Sequence, residues 1–295
     1  MKLCSLIGLL LLVGFPPATE AAEIRADELR LATWNLYWLS AEPASGMVRR
    51  SVDDYAHLRE YARQLDADVI ALQEVDGPEA AARVFDPVIY AFHFTSDGGN
   101  RQKTGFAWKR TLKVEPQPDL VELAISRTRR GADILVHLGG RSIRLLVVHL
   151  KSGCFDDPMG SSKRACSVLN RQLPVLESWI DARAAESVPF AVLGDFNRRF
   201  VDGDTFWPEL DDLEPAEADL TAVTQGRTSE CWGGRYPVYI DHIVLSRSAG
   251  LWLLPGSFRQ QLYDPADISR RKVLSDHCPV AVTLRAPEVR LSSLP

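Results

Sequence analysis

The chain has 295 residues, 46% of them hydrophobic and 25% charged, which is length and apolar content enough for a large buried core and excludes a disordered or low-complexity protein. A net charge of −5 excludes a protein that coats nucleic acid through overall basicity, but not an enzyme that grips phosphate locally with a few arginines and a metal. No G-x-S-x-G elbow and no Gly-rich nucleotide loop is present, so a covalent serine mechanism and an NTPase both lack their motifs.

The chain opens on a targeting segment. Lys2 supplies positive charge, Leu3 to Val13 form an apolar stretch too short to span a bilayer, and Thr19 and Ala21 are the small residues that direct cleavage after Ala21. The expected division is a signal peptide over 1–21, one catalytic domain over 22–285 and a flexible tail over 286–295. Secretion, or export to a periplasm, follows, with no membrane span left after cleavage. Cys4 leaves with the signal, and the even set Cys154, Cys166, Cys231 and Cys278 favours disulfides. Cys154 and Cys166 bracket a short polar loop and are expected to pair, whereas Cys278 sits in an apolar run and reads equally well as a buried free thiol.

Leu29 to Asn35 is a strand ending in an amide, followed by an aromatic-rich turn. Ser51 and Asp54 make a capping-box pattern, and Tyr55, Leu58, Ala62 and Leu65 recur at helical spacing, predicting a helix over one face of a sheet. Asp68 to Glu74 is a buried strand that ends in Gln73 and Glu74. Ile89 to Phe94, Gly105 to Trp108 and Ala132 to Leu138 are short strands, most economically joined as hairpins. Of the basic residues in their connections, Arg101, Lys103, Arg129 and Arg130, the last is singled out for an anionic substrate because a strand follows it directly.

Arg144 to Lys151 is another buried strand, with His149 near its end. Leu169, Leu173, Leu176 and Ile180 mark a helix, with Pro174 in its first turn or at a kink. Val188 to Asn197 is an apolar run that stops at Gly194 and presents Asp195 and Asn197 on one side, able to address a water and the oxygen it attacks. Asp202 to Asp219 is acidic and reads as a solvated excursion. Tyr236 to Ser246 places Asp241 inside an apolar strand, where a carboxylate is costly unless paired, and Leu274 to Leu284 sets Asp276 and His277 before a closing strand. Asp241 is the natural mate for His277.

Strand ends thus collect Asn35, Glu74, His149, Asp195, Asn197, Asp241, Asp276 and His277. With no thiolate and two histidines the set disfavours a tetrahedral zinc cage, and its carboxylate and amide oxygens favour a hard ion, Mg²⁺, or else Mn²⁺ or Ca²⁺. The chemistry left is metal-assisted hydrolysis of a phosphate ester.

T-W-N at 33–35, L-Q-E at 72–74, H-L-K-S at 149–152, G-D-F-N at 194–197, Y-I-D-H-I at 239–243 and S-D-H-C-P-V at 275–280 resemble, in this order, the motifs of the endonuclease/exonuclease/phosphatase superfamily. The resemblance implies an α/β fold: a four-layer α/β sandwich, two mixed β-sheets packed face to face with helices outside, and an active site at one sheet edge. It implies that Glu74 binds Mg²⁺ with Asn35 close by and Asp276 completing the metal side. Asp195 would orient or deprotonate the attacking water, Asn197 hold the phosphate, and His149 and His277, the latter polarised by Asp241, stabilise the pentacovalent phosphate. H-L-K-S followed by G-C and a basic loop is similar to secreted bacterial nucleases, so DNA or RNA is the expected partner, with Arg130, Lys151 and Arg198 as substrate contacts. Alternatives on the same fold are an inositol phosphate phosphatase and a sphingomyelinase-type phospholipase with an exposed aromatic hairpin at Phe206–Trp207 or Trp252 to Phe258. Of another class is a binding module that has lost its chemistry, against which the full set of competent residues argues. No protein partner or oligomeric state is implied.

Overall fold

The computed structural model describes residues 27–43, 46–96, 102–186 and 188–288. The expected signal peptide, Arg101 and the end of the tail lie outside them. In chain order come β1 (Glu28–Leu39), helix α1 (Val52–Leu65), β2 (Val69–Val75), a short helix α2 (Pro78–Ala81), β3 (Tyr90–Phe94), β4 (Lys103–Lys109), β5 (Lys113–Leu120), β6 (Gly131–Leu138), β7 (Arg141–His149), helix α3 (Arg164–Ala185), β8 (Phe190–Asp195), β9 (Thr221–Ala222), β10 (Asp241–Leu245), β11 (Arg259–Gln260) and β12 (Val280–Arg285). Two six-stranded sheets result, ordered β11-β12-β1-β2-β4-β3 and β5-β6-β7-β8-β10-β9. Each is mixed. β1 and β2 are parallel, as are β7 and β8, and α1 and α3 are the crossovers that parallel pairing requires. Among the described residues no helix is long and apolar enough to cross a membrane.

Alternation along each strand decides which core a side chain joins. Leu29 and Leu31 of β1 face the second sheet, while Ala32 and Trp34 pack with Tyr55 and Leu58 of α1. Ala191 and Leu193 of β8 face the first sheet, while Phe190 and Val192 pack with Leu173 and Leu176 of α3. Three apolar interfaces separate four layers, the sandwich expected from the sequence. Each fully buried large side chain, such as Trp34 or Phe190, contributes roughly 1.5–3 kcal/mol by leaving water. The start of α1 is held by the expected capping box, both hydrogen bonds of which are present.

Several local expectations are corrected. β5 was not anticipated, because Pro116 and Pro118 argue against a strand; it lies at a sheet edge, where a missing N–H costs no ladder bond. Of the two placements left open for Pro174, the first turn is excluded, since it lies inside α3. The acidic stretch from Asp202 is not wholly solvated, since Phe206, Leu210 and Ala218 join the core under α3. Packing continues past residue 285: Ala286 is buried and its N–H donates to the Asp27 carbonyl. Both disulfides form, Cys154 with Cys166 and Cys231 with Cys278, so Cys278 is not a free thiol. Phe206 and Trp252 are buried, which leaves neither as the tip of an exposed aromatic hairpin.

Candidate active site

The alternation that builds the central core also builds the site. Leu145 and Val147 of β7, Leu193 of β8 and Ile243 of β10 fill the space between the sheets; the next positions on the same faces are His149, Asp195 and Asp241. Parallel pairing sets His149 beside Asp195, and antiparallel pairing sets Asp241 on its other side. From the first sheet, Asn35 reaches this row and donates through Nδ2 to Asp195 Oδ2 at 3.1 Å. Position 194 must be glycine. Its φ is +143°, and a Cβ would stand 2.0 Å from the Val148 carbonyl oxygen.

Glu74 breaks the alternation. The β1–β2 and β2–β4 registers both slip beside it, and a left-handed φ of 58° turns it to the cleft. The Trp38 N–H donates to Glu74 Oε2 at 3.2 Å, and Asn35 Nδ2 donates to Oε1 at 3.4 Å. Asn197 is also left-handed, with φ 51°. Its N–H donates to Asp195 Oδ1 at 2.9 Å and its Nδ2 to the Leu150 carbonyl at 3.2 Å.

Charge in the row is divided. His277 donates through Nδ1 to Asp241 Oδ2 at 2.7 Å, leaving Nε2 3.9 Å from Asp195 Oδ2. Burial by itself would lower the His277 pKa, but the carboxylates of Asp241 and Asp195 hold it well above the ordinary value, as an imidazolium. Burial pushes Asp195 up to about 7 against the pull of His277, so this carboxylate can take a proton near neutrality. His149 is the opposite case. Burial, reinforced by the charge of Arg129, holds it well below the usual range, and it is neutral. Arg129 donates through Nη2 to His149 Nε2 at 2.7 Å; a guanidinium cannot accept, so the imidazole proton is on Nδ1, which has no hydrogen-bond partner among the described residues.

Two carboxylates that could serve a hard cation are Glu74 and Asp276. Both line the cleft, and Asp276 Oδ1 is buried without a hydrogen-bond partner among the described residues. Asn35 lies beside Glu74 and turns its nitrogen to Glu74 and Asp195, because its Oδ1 accepts from the Tyr37 N–H at 2.9 Å. Asp195, Asp241 and His277 also offer ligand atoms within 4.8 Å of one another, a grouping with metal-holding geometry. In that grouping the ring Nδ1 is engaged by Asp241.

The cleft over these groups is about 720 Å³. None of the three expected substrate contacts lines it. Arg198 is 1% exposed, paired with Asp204 and donating to the Cys154 and Asp157 carbonyls, so it ties the disulfide loop to the end of β8. Lys151 donates through Nζ to the Ser152 carbonyl at 2.9 Å, and Arg130 through Nη1 to Ser96 Oγ at 3.1 Å. The arginines that do line the cleft are Arg129, Arg199 and Arg235. Arg199 lies 5.6 Å over the Phe155 ring and Arg235 lies 5.8 Å over Tyr236. Arg129 is placed from a distance: buried Gln172 of α3 donates to the Leu123 carbonyl and to Thr128 Oγ1, fixing the turn before it.

A proton-accepting carboxylate between two imidazoles, in an arginine-lined cleft at the lip of a two-sheet sandwich, suits an anionic ester; the class is a phosphoric ester hydrolase. The chain belongs to the Endonuclease/Exonuclease/phosphatase family, whose sequence profile matches residues 32–277. Solved structures share the fold. A humanized D. rerio TDP2 superposes with a TM-score of 0.63 at 20% identity, covering 88% of this chain and 100% of that one. An endonuclease/exonuclease/phosphatase from Bacteroides vulgatus gives 0.60 at 15% identity over 88% and 99% of the two chains. ANGEL2, a 2′,3′-cyclic phosphatase, gives 0.55 at 16% identity over 88% and 95%. No curated protein sequence matches the chain.

Proposed function

We propose that the protein is an exported, divalent-metal-dependent nuclease that hydrolyses phosphodiester bonds of DNA or RNA by attack of water. The observation that carries the substrate class is the cleft wall, where two guanidinium–aromatic pairs, Arg199 with Phe155 and Arg235 with Tyr236, share the cleft with Asp195 and His277. A ring beside a positive charge suits a nucleobase and its neighbouring phosphate, whereas an inositol ring has no flat face to stack. Export is supported by the two disulfides, Cys154–Cys166 and Cys231–Cys278, with the signal at 1–21 as its vehicle.

In this reading Glu74 and Asp276 hold Mg²⁺, with Mn²⁺ or Ca²⁺ as substitutes, and the bound ion supplies charge neutralisation on the phosphate oxygens. Asp195 takes the proton of the attacking water, held in position by Asn35 and Asn197. His277, kept charged by Asp241, and Arg129 donate to the negative charge that builds on the phosphorane oxygens, and neutral His149 is oriented by Arg129.

The test is cleavage of supercoiled plasmid and of a single-stranded oligonucleotide, beside sphingomyelin and a soluble inositol phosphate, with Mg²⁺ and with chelator. Metal-dependent cleavage of nucleic acid, lost in Asp195→Asn, is expected. Intact nucleic acid with turnover of either other ester would overturn the substrate while leaving the site in place.

A further inference from the structure

Arg50 is 3% exposed, and among the described residues it pairs with no carboxylate. Its donors go instead to five backbone carbonyls. Nε donates to Val273 at 2.6 Å, Nη1 to Trp38 at 3.1 Å, and Nη2 to Leu36, Tyr37 and Leu274 at 2.9, 2.7 and 3.1 Å. Three of these carbonyls belong to the turn in β1 where the pairing with β2 slips, and where Tyr37 and Trp38 are left-handed with φ 46° and 55°. Their oxygens have left the ladder, and a buried carbonyl without a donor is costly. The other two precede Ser275, Asp276 and His277.

Both segments feed the site. The Trp38 N–H holds Glu74, and Ser275 donates through Oγ to the Asn35 carbonyl at 2.7 Å while accepting the His277 N–H at 3.0 Å. Sheet order sets β12 and β2 on either side of β1, so Glu74, on β2, and Asp276, in the segment leading into β12, come to the cleft from elements that do not pair with each other. A buried charge is poor value as a mere core filler, since an apolar side chain of similar volume holds a core as well or better. Arg50 is itself fixed by its neighbour Ser51, the N-cap of α1, whose partner Asp54 takes Arg270 Nη1 at 2.9 Å.

We propose that Arg50 is a positioning residue that clamps the Trp38 turn to the segment carrying Asp276 and His277, holding Glu74 and Asp276 in place along one cleft. This rests on the hydrolase reading above.

The experiment compares wild type with Arg50→Lys, which keeps the charge with fewer donors, and Arg50→Met, which removes both. Turnover of bis(p-nitrophenyl) phosphate, Mg²⁺ affinity by calorimetry, and amide hydrogen exchange are measured. Arg50→Lys is expected to stay folded, with kcat and Mg²⁺ affinity each reduced about tenfold or more and KM for the ester changed less than about threefold. Exchange is expected to quicken over residues 36–39 and 273–278 and to stay unchanged in α3. A folded Arg50→Lys protein with wild-type kcat, Mg²⁺ affinity and exchange would overturn the clamp. Should both variants fail to fold, the wild-type Arg50 Nε–H resonance decides: it is expected to shift with Mg²⁺ on the binding curve of the Trp38 amide, and an unmoved signal overturns the inference. A wild-type protein that turns over no phosphate ester would sink the hydrolase reading, and exchange in the two segments would still decide the clamp.

Discussion

Asp195 and Asp241 stand directly opposite each other in the β8–β10 pairing, yet they lean on different partners. Asp241 takes the His277 Nδ1–H at 2.7 Å, while Asp195 takes the Asn35 amide at 3.1 Å and the Asn197 N–H at 2.9 Å. The imidazolium is committed to one carboxylate, and the other is left to rise. One pairing position thereby yields the hydrogen-bond partner of an imidazolium and a proton acceptor side by side.

Replacing Asp195 separates stability from activity. Its folded pKa of about 7 lies above that of an unfolded aspartate, so in metal-free protein the folded state keeps an extra proton and loses stability as pH rises between about 4 and about 7. Asp195→Asn removes that cost. Its melting temperature is expected to match or exceed wild type, with the advantage growing across that window, while kcat falls about 10²- to 10⁴-fold. Calorimetric scans against pH check the first half, and an advantage that shrinks with rising pH would contradict it.

Arg129→Ala is expected to cost about 10²-fold in kcat/KM, the scale of losing one charged donor to the transition state. The pKa of His149 should rise, because a repelling charge has gone although burial stays. Nitrogen chemical shifts of the His149 ring against pH report this directly.

The two disulfides are not equivalent. Cross-links spanning 12 and 47 residues are worth about 3 and about 4 kcal/mol in the chain-entropy account. The longer one also joins the cleft wall to the residue after His277. Paired serine substitutions at Cys231 and Cys278 should lower both melting temperature and kcat, whereas serines at Cys154 and Cys166 should lower the melting temperature less. Equal effects on kcat would contradict the assignment.

Tyr236→Ala tests the substrate. Base stacking is worth about 1–3 kcal/mol, so KM for a single-stranded oligonucleotide should rise about 5- to 100-fold. An abasic sugar–phosphate oligomer, which has no base to stack, should show a KM changed less than about threefold.

The strand-end residues were legible because a period of two carries from the apolar interior to the polar lip: Val147 predicts the side of His149, and Leu193 that of Asp195. The Asp241–His277 pair was legible from cost, since a carboxylate in an apolar strand needs a mate. The arginines were not. Arg129, Arg130 and Arg198 look alike in sequence, and only the turn held by Gln172 and the burial of Asp204 decide that the first meets the site and the last does not. Arg50 escaped for the same reason, because its five partners are backbone oxygens, which no residue pattern announces.

The first sheet is assembled from both ends of the described chain and the second from its middle, with β12 closing against β1 last in sequence. An unfinished chain therefore carries Asp195 and Asp241 but neither Asp276 nor His277, and the bond from Cys231 has nothing to meet. The site is therefore completed only by the last described strand and the segment that leads into it, and the same closing step brings Cys278 to Cys231.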